Sequence, residues 1–334
     1  MNILLTGGAG YIGTHTAVVL LAAGHDVVLY DNLSNSNRDV LRRLRQVTGR
    51  DVPFVEADIR DTARLAQTLR DHGCQSVVHF AGLKAVGESV QKPIDYYANN
   101  VQGTVSLLQA MDATGVRHLV FSSSATVYGT PQYLPLDEKH PTSATNPYGR
   151  SKLHIEEILA DVCVSSPAWR VACLRYFNPA GAHPSGLLGE DPQGIPNNLM
   201  PYVAKVAGGE LPRLGVFGND YDTPDGTGVR DYIHVMDLAQ GHLAALEFLQ
   251  QASGWHAINL GTGQGYSVLE MVRAFEAASG KAVPYDIKPR RPGDVASCYA
   301  NAGKAKEVLG WEATRGLQEM CDSMWLWQSK AALK

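Results

Sequence analysis

A glycine-rich turn near the start of the chain constrains the fold more than any other feature. It follows a short apolar run at residues 2–6 and carries Gly7, Gly10 and Gly13. Glycines at this spacing let the backbone turn tightly and approach a pyrophosphate, toward which the following helix points its amides. Asp31 ends the next apolar run, where a carboxylate can accept hydrogen bonds from an adenosine ribose. The pattern predicts a dinucleotide site rather than a purely structural turn, and it favours NAD because Asp31 would repel a 2′-phosphate.

Apolar strands alternate with amphipathic helices through the first half of the chain. We predict strands at residues 2–6, 26–30, 53–56, 76–80, 118–122 and 170–175, and helices at 13–23, 62–72, 97–113 and 151–164. Strands that read as nearly continuous Val, Ile and Leu runs indicate a parallel sheet covered on both faces. The sequence therefore predicts an α/β fold with a Rossmann-type doubly wound parallel sheet.

The texture of the sequence changes after about residue 177. Gly and Pro become dense at 178–201 and 215–228, and helical patterns return at 236–251 and 268–279. Long loops inside a compact chain are usually functional or disordered, and the aromatic, Asn and Arg content of these loops favours function. We predict an NAD-binding domain at 1–176 and a smaller C-terminal α/β substrate domain at 177–334, with residues 229–260 able to pack back on the first domain.

Composition excludes several classes of partner. The formal net charge is −4, from 29 Lys and Arg against 33 Asp and Glu, which argues against bulk binding to nucleic acid or anionic membrane. No apolar run is long enough to span a bilayer, and no Lys or Arg precedes Arg38 as a secretory signal would require. The five cysteines and eleven histidines show no metal-ligand spacing. We predict a cytoplasmic protein with reduced thiols and no metal.

A second set of residues predicts catalysis. Three serines end with Ser124 at the close of a strand, and Tyr148 and Lys152 are four residues apart on a later helix, hence on one face. A tyrosine acts as a base at neutral pH only if its pKa falls by about three units from about 10, which requires roughly 4 kcal/mol. The ammonium of Lys152 and a positive nicotinamide ring can supply this. The alternative is a pair of residues on a helix surface.

These residues resemble the extended short-chain dehydrogenase/reductase superfamily and, more narrowly, the UDP-glucose 4-epimerase family. The resemblance covers essentially the whole chain, and its later motifs are the more specific ones. The motifs are GGAGYIG at Gly7, FSSSATVYG at Phe121, NPYGRSK at Asn146, RYFNPAGAHPSG at Arg175, GEDPQGIPNNLMP at Gly189, VFGNDYDTPDGTGVRDYIHVMDL at Val216 and RRPGD at Arg290. Nucleotide-sugar 4,6-dehydratases carry an acidic pair where this chain has Ala125 and Thr126, so dehydration is not expected.

The resemblance implies an isomerase that interconverts UDP-galactose and UDP-glucose. Tyr148 would deprotonate the sugar 4-hydroxyl, Ser124 would hydrogen-bond the same oxygen, and hydride would pass to bound NAD and return to the opposite face of a 4-keto intermediate. The catalytic residues would be Ser124, Tyr148 and Lys152. The resemblance also implies a homodimer formed through the helices at 97–113 and 151–164, although their apolar faces could instead be buried within one subunit.

Strand-end positions and the resemblance together predict the binding residues. For Lys84, a solvated surface lysine is the alternative. The predicted NAD contacts are Gly7, Gly10, Tyr11, Ile12, Gly13, Asp31, Asn32, Asn35, Ser36, Asp58, Ile59, Phe80, Ala81, Gly82, Lys84, Asn99, Ser122, Tyr148, Lys152 and Tyr176. The predicted UDP-sugar contacts are Lys84, Ser124, Tyr148, Asn178, Asn198, Leu199, Val216, Phe217, Arg230, Tyr232, Arg291, Asp294 and Cys298. For Arg230, a local ion pair with Asp231 is the alternative.

Cys298 predicts a second substrate pair. The matching family position adjoins the 2-substituent of the sugar, where a tyrosine is associated with excluding an N-acetyl group, and cysteine is much smaller. We therefore predict that the chain also interconverts UDP-GalNAc and UDP-GlcNAc, unless Tyr299 occupies the position instead. Two other functions stay open: epimerisation of another UDP-sugar, such as a uronic acid or a pentose, and a non-catalytic module that senses NAD or nucleotide sugars.

Overall fold

The computed structural model describes residues 1–192, 194, 196–291 and 293–331. The strands in this part of the chain are β1 (Asn2–Thr6), β2 (Asp26–Asp31), β3 (Phe54–Glu56), β4 (Ser76–His79), β5 (His118–Ser124), β6 (Arg170–Tyr176), β7 (Asn178–Ala180), β8 (Leu214–Phe217), β9 (Val229–His234), β10 (Gly254–Leu260), β11 (Gly265–Ser267), β12 (Tyr285–Lys288) and β13 (Ser297–Cys298).

The helices cover both faces of the main sheet and fill the second region. They are α1 (Tyr11–Ala22), α2 (Asp39–Thr48), α3 (Thr62–Asp71), α4 (Val86–Gln91), α5 (Pro93–Tyr96), α6 (Gly103–Thr114), α7 (Pro147–Ser165), α8 (Leu199–Ala207), α9 (Val235–Phe248), α10 (Val268–Ser279), α11 (Gly303–Leu309) and α12 (Leu317–Ala331). A π-helical turn at Tyr97–Gln102 joins α5 to α6, and a 3-10 turn at Ala125–Tyr128 follows β5.

The main sheet has seven parallel strands in the order β3-β2-β1-β4-β5-β6-β10. Successive residues of a strand point to opposite faces, so Ile3 and Leu5 enter one buried cluster while Leu4 enters another. Strands buried on both faces must be apolar throughout, which explains their continuous Val, Ile and Leu runs. The predicted doubly wound parallel fold is confirmed. The strand order reverses at β1, which opens a crevice at the carboxyl ends of the strands.

The second region is built from shorter elements. Strand β9 pairs with β7, β11 and β13, and β8 pairs with β12. Its own buried core lies among α8, α10 and α12 and includes Met200, Val203, Phe275 and Met324. The second region therefore has a hydrophobic cluster of its own, which supports β7, β8, α8 and the described loops of the Gly- and Pro-rich stretches.

The segment 229–260 contributes to both regions. Strand β9 belongs to the small sheet, whereas β10 pairs with β6 at the edge of the main sheet and α9 packs on α1. This is the arrangement that the sequence leaves open for this segment. The division of the chain at residue 177 stays a prediction.

The predicted boundaries differ from the observed ones by one or two residues at several elements. Strands β5 and β6 run on to Ser124 and Tyr176, because these two residues still pair with each other in the ladder, whereas β3 and β4 are each one residue shorter than predicted. The helix expected at 13–23 begins two residues earlier, within the glycine turn. Helices α2, α4, α5, α8, α11 and α12 were not predicted. Among the described residues, no helix combines the length and apolar character needed to cross a membrane.

Candidate functional site

The glycine turn between β1 and α1 lies close to the backbone that follows β4. Gly7 has φ +67°, and a Cβ atom there would stand 2.6 Å from the amide nitrogen of Ala81. A Cβ on Gly13 would stand 2.6 Å from the carbonyl oxygen of Gly7. Helix α1 begins after Gly10 without a side-chain cap and without an acidic residue in its first turn. The first amides of α1 are thus left to an external anion, which is what a dinucleotide pyrophosphate provides.

Asp31 shapes the loop that follows β2. Its carboxylate accepts hydrogen bonds from the backbone amides of Ala9 and Leu33, at 3.1 and 2.8 Å, and from the Ser36 hydroxyl at 3.3 Å. Burial raises the pKa of Asp31, against the lowering effect of these donors. The carboxylate joins the glycine turn to the end of β2, where an adenosine ribose would lie in a Rossmann-type sheet.

Ser124, Tyr148 and Lys152 meet at the carboxyl end of β5. Helix α7 begins at Pro147, and the side chain of Asn146 caps it by accepting a hydrogen bond of 2.9 Å from the Gly149 amide. This start places Tyr148 in the first turn of the helix, with Lys152 one turn further on the same face. The Lys152 ammonium donates a 2.6 Å hydrogen bond to the backbone carbonyl of Ser122. The predicted catalytic residues are therefore brought together.

The surroundings of Tyr148 differ from the sequence-based expectation. Burial raises the pKa of its phenol, while a hydrogen bond with Ser124 and the positive charge of Lys84 oppose that rise. The effect of the Lys152 ammonium on Tyr148 stays a prediction; in the structure this ammonium contacts the Ser122 carbonyl. Lys84 supplies this charge from the loop after β4, and a bound nicotinamide ring would add to it.

Lys152 is a buried lysine with a perturbed pKa. Its side chain is 4% exposed, and burial lowers its pKa from 10.5 to about 8. The charges of Cys173 and Glu156 oppose this effect. The ammonium also lies 4.7 Å from the centre of the Phe121 ring, within cation–π range. Burial thus brings the pKa of Lys152 closer to neutral pH than that of an exposed lysine.

Lys84 and Asn198 converge on a carboxylate that the sequence analysis missed. Glu190 accepts hydrogen bonds from the Lys84 ammonium at 2.9 Å and from the Asn198 amide at 2.7 Å, both at its Oε1. Its Oε2 is buried and has no hydrogen-bond partner among the residues that the structure describes. The charge of Glu190 raises the pKa of Lys84. Lys84 is therefore paired with a carboxylate and is not a free surface lysine. Through Lys84 and Asn198, Glu190 connects the two predicted binding regions.

The second region presents its predicted residues along short strands and loops. Arg230 on β9 contacts Asp294 at 3.2 Å, and the guanidinium of Arg291 lies 3.8 Å from the centre of the Phe217 ring on β8. The Asp231 carboxylate is occupied by Thr262, Gly263 and Ala300, so the alternative of a local Arg230–Asp231 ion pair is wrong. Two arginines and an aromatic ring in one place suit a nucleoside diphosphate.

Cys298 lies beside Arg230 in the small sheet. Strand β13 pairs Cys298 with Arg230 in parallel register, and the cysteine is partly buried. Its neighbour Tyr299 packs against Gly265 on β11, where a Cβ would lie 3.3 Å from the Tyr299 ring. Cys298 packs against the buried cluster that includes Ala125 and Phe177, whereas Tyr299, which follows the strand, lies against β11.

The remaining predicted residues lie where the strands end. The Tyr11 phenol donates to the carbonyl of Gly181, and the Tyr176 phenol contacts His242; the cofactor contacts of both residues stay predictions. Asp58 pairs with Arg60, which lowers the pKa of Asp58 to about 2. The other predicted residues are Ile12 at the start of α1, Asn32 and Asn35 after β2, Ile59 after β3, Phe80 and Gly82 after β4, Asn99 in the π-helical turn, Asn178 on β7, Leu199 at the start of α8, Val216 on β8 and Tyr232 on β9.

Thr126 and Glu156 were also missed by the sequence analysis. The Ser124 oxygen accepts hydrogen bonds from the Thr126 amide at 3.2 Å and from the Thr126 hydroxyl at 2.9 Å. Glu156 lies one turn after Lys152 on the same face of α7 and pairs with Arg175 at 2.6 Å. The four-residue spacing of Tyr148, Lys152 and Glu156 is the signal that would have found Glu156.

Comparison with known proteins identifies the family. The GDP-mannose 4,6 dehydratase family model matches residues 4–324. The chain is 60% identical over 329 residues to the UDP-glucose 4-epimerase of Bacillus subtilis (strain 168), a match that covers 98% of this chain and 97% of that relative.

Two solved structures are similar over nearly their whole length. The UDP-glucose-4-epimerase of Stenotrophomonas maltophila, with bound NAD and formylated UDP-arabinopyranose, has a TM-score of 0.98 at 51% identity and covers 100% of this chain and 99% of that one. The UDP-glucose 4-epimerase of Bifidobacterium longum, in complex with NAD+ and UDP, has a TM-score of 0.97 at 55% identity and covers 99% of both chains. The resemblance in sequence is thereby confirmed, and this chain belongs to the UDP-glucose 4-epimerase family, within the wider family that the matching model describes.

Proposed function

We propose that this protein is an NAD-dependent isomerase that interconverts UDP-galactose and UDP-glucose. The observation that carries the proposal is the meeting of Ser124, Tyr148 and Lys152 at the carboxyl end of the main sheet, in a chain 60% identical to a UDP-glucose 4-epimerase. The sugar would lie between this group and the arginines of the second region. Ala125 and Thr126 supply no acid for dehydration, although the matching family model is named for a dehydratase.

NAD fits the residues of the first half. The uncapped amides of α1, the close approach of Gly7 to Ala81, and the Asp31 carboxylate suit a pyrophosphate and an adenosine ribose. When bound, NAD supplies a reversible two-electron oxidation at the sugar carbon. Because the reaction has no net redox change, we expect the protein to keep its cofactor from one turnover to the next.

Tyr148 is the proposed base. Its phenolate would take the proton of the sugar 4-hydroxyl and return it after the sugar has turned over. The positive charge of Lys84 and the hydrogen bond with Ser124 favour the phenolate, and an ammonium at Lys152 would add to this. The Ser124 hydroxyl would donate to the same sugar oxygen.

The second region would hold the UDP half of the substrate while the sugar turns. Arg230 and Arg291 would grip the diphosphate, Asp294 would accept from the ribose, and the uracil would lie along Val216 and Phe217. Binding energy from this remote group can hold the substrate without restraining the sugar. The sugar pocket can then accept both orientations that epimerisation needs.

A proton NMR time course tests the proposal. UDP-galactose is incubated with the protein as purified, without added NAD, and the anomeric signal of UDP-glucose is followed. Growth of that signal supports epimerisation with a resident cofactor. No change, in folded protein that carries NAD, would rule out this substrate pair. UDP-uronic acids and UDP-pentoses would then be assayed, and binding without any turnover would favour a sensing module.

We further propose that the protein interconverts UDP-GalNAc and UDP-GlcNAc. Support comes from the small Cys298 side chain, which is paired in register with Arg230 and packs near Ala125, and from Tyr299, which packs against Gly265 on β11 instead. The same NMR assay with UDP-GalNAc tests this. Cys298→Tyr is expected to abolish the N-acetyl reaction and retain UDP-galactose turnover, and Cys298→Ser is the control that keeps the pocket small. Lack of UDP-GalNAc turnover by the native protein contradicts the proposal.

We propose that the protein acts as a cytoplasmic homodimer. A groove lined by apolar side chains of the π-helical turn, α6 and α7 supports an interface there, and Val105 at its edge is 37% exposed. The five cysteines are unpaired thiols, which suits a reducing compartment. Sedimentation should give twice the mass of the 36.1 kDa chain, and Val105→Glu should shift it to the monomer. A monomeric native protein would contradict this interface.

A further inference from the structure

The face of α7 that carries Tyr148 and Lys152 continues into a buried ion pair that the proposed reaction does not use. Glu156 is 2% exposed and Arg175, on β6, is 4% exposed. The Arg175 guanidinium donates to both carboxylate oxygens of Glu156, at 3.0 Å from Nε to Oε1 and 2.6 Å from Nη2 to Oε2. Two ions are costly to bury, and apolar side chains of similar size often stabilise a core equally well. Packing alone therefore does not require an ion pair here.

The Glu156–Arg175 pair contacts the end of β5 through Ser123. The Ser123 hydroxyl donates to Glu156 Oε1 at 2.5 Å. Ser123 lies between Ser122, whose carbonyl accepts from Lys152, and Ser124, which hydrogen-bonds Tyr148. Glu156 thus binds β5 at Ser123, between Ser122, which Lys152 contacts, and Ser124, which Tyr148 contacts.

The other side of the pair is also fixed. Arg175 Nη1 donates to the Tyr128 hydroxyl at 3.1 Å, and Tyr128 donates to Asn259 on β10 at 2.6 Å. Asn259 in turn donates to the backbone carbonyl of Leu136 at 2.9 Å. All of these side chains are buried. The position of Glu156 is therefore set from β5, β6, β10 and the 3-10 turn, and α7 can neither rotate nor slide without breaking several of these bonds.

We propose that Glu156 and Arg175 are positioning residues, which fix the face of α7 carrying Tyr148 and Lys152 against the end of β5 carrying Ser122 and Ser124. The inference rests on the proposed function, since it concerns the same catalytic group. Neither residue touches a reacting atom; both act through the placement of Tyr148 and Lys152.

A second effect of Glu156 is electrostatic. The titratable groups that face Lys152 are Tyr148 and Glu156 on α7, His79 on β4 and Cys173 on β6. Burial lowers the pKa of His79 to about 3, and it raises the pKa of Cys173 and of Tyr148. Burial disfavours the charged form of each of these three groups. The charge of Cys173, and after it that of Glu156, raises the pKa of Lys152. Glu156 is the member of this set that pairs with a cation, Arg175.

Four variants test the proposal: Glu156→Gln, Arg175→Met, the double variant, and Ser123→Ala. The pKa of Lys152 is read from its ¹³Cε chemical shift in lysine-labelled protein, assigned with Lys152→Met. This reading needs no turnover. In parallel, kcat and KM for UDP-galactose are measured across pH. The wild-type turnover tests the proposed function separately, so its failure and the failure of this inference are distinguishable.

We expect Glu156→Gln to lower the pKa of Lys152 by roughly one unit and kcat by about tenfold to a hundredfold, with KM nearly unchanged. Arg175→Met leaves Glu156 charged, so the protein is destabilised but the pKa of Lys152 does not fall. The double variant removes both buried ions, which should recover folding while the lowered pKa persists. Ser123→Ala keeps both charges and should lower kcat without moving the pKa.

Across the four variants, the free energy of unfolding and the pKa of Lys152 should therefore change independently of each other. If the Glu156–Arg175 pair only stabilised the fold, the two quantities would not separate in this way. The proposal is overturned if Glu156→Gln and the double variant titrate Lys152 as the wild type does and keep its kcat. It is equally overturned if every variant loses activity only in proportion to its loss of folded protein.

Discussion

The two halves of the candidate site are built in different ways. Most of the residues proposed to hold NAD and carry out the chemistry follow the carboxyl ends of the parallel strands of the main sheet or lie on long helices, as with β1, β5 and α7. The residues proposed to hold UDP lie on loops and on strands as short as two residues, such as β13. Strand topology positions the first half, whereas individual side-chain contacts position the second.

Asp231 illustrates how the second half is held together. Its fully buried carboxylate accepts hydrogen bonds from Thr262 and Gly263 in one loop and from Ala300 beyond β13. These bonds fix β13, and with it Cys298, next to Arg230. The comparison makes a general prediction: substitutions in the first half should change turnover or stability, and substitutions in the second half should change affinity for UDP-sugars.

The largest expected effect is that of Tyr148→Phe. Removing the proposed base while keeping the ring should lower kcat by about a thousandfold, since the phenol oxygen that would take the proton is lost. Bound NAD and UDP affinity should be unchanged. Turnover is followed by the NMR assay, and NAD content by absorbance after denaturation. A variant that keeps wild-type turnover would show that Tyr148 is not the base.

Lys152→Met should separate function from stability in the same half. Burial lowers the pKa of Lys152 from 10.5 to about 8, which means that the buried ammonium destabilises the folded protein by roughly 3 kcal/mol. Methionine removes this cost, but it also removes the hydrogen bond to Ser122, which stabilises the fold by about 1 kcal/mol. We expect the variant, freed of NAD, to be more stable by about 2 kcal/mol at pH 7 and about a hundredfold less active.

The pH dependence gives the sign of this effect. Between pH 8 and 10.5 the unfolded wild-type chain binds more protons than the folded one, so wild-type stability rises with pH there. The advantage of Lys152→Met should therefore shrink across that window in urea unfolding. Lys306→Met is the control, because Lys306 is exposed and paired with Glu312; its stability should stay within about 0.5 kcal/mol of wild type. If Lys152→Met and the wild type are equally stable at pH 7, the buried ammonium of Lys152 does not destabilise the folded protein.

Arg230→Met tests the second half. The side chain is 20% exposed and contacts Asp294 at 3.2 Å, and loss of charge-assisted hydrogen bonds to a diphosphate should raise KM about thirtyfold with kcat within a few-fold. Arg213→Met is a matched control, since Arg213 pairs with Asp286 on the β8–β12 edge and is 51% exposed. A large fall in kcat with unchanged KM would break the division of labour between the halves.

The contrast also explains what the sequence could predict. The parallel sheet, the glycine turn and the Tyr148–Lys152 face follow from local periodicity, because strand ends of a doubly wound sheet meet at one edge. Glu190 could not be found this way: it lies in a loop, and its importance comes from Lys84 and Asn198, which are distant from it or separated by irregular chain. The charge of Lys84 on Tyr148 could not be predicted for the same reason, since a helical spacing says nothing about the loop after β4.

Thr126→Val should have the smallest effect and tests the comparison within the first half. The Ser124 oxygen accepts from both the amide and the hydroxyl of Thr126, so its two lone pairs are occupied and its own hydrogen is directed toward Tyr148 or the sugar. Valine removes the hydrogen bond that the Thr126 hydroxyl donates to the Ser124 oxygen, worth about 1 kcal/mol, so kcat should fall about fivefold with KM unchanged. Thr126→Ser keeps the hydroxyl and should recover most of the rate. If Thr126→Val raises KM and leaves kcat intact, Thr126 contacts the substrate instead of orienting Ser124. The first half of the site would then bind the sugar through individual side chains of a turn, in the way proposed for UDP in the second half.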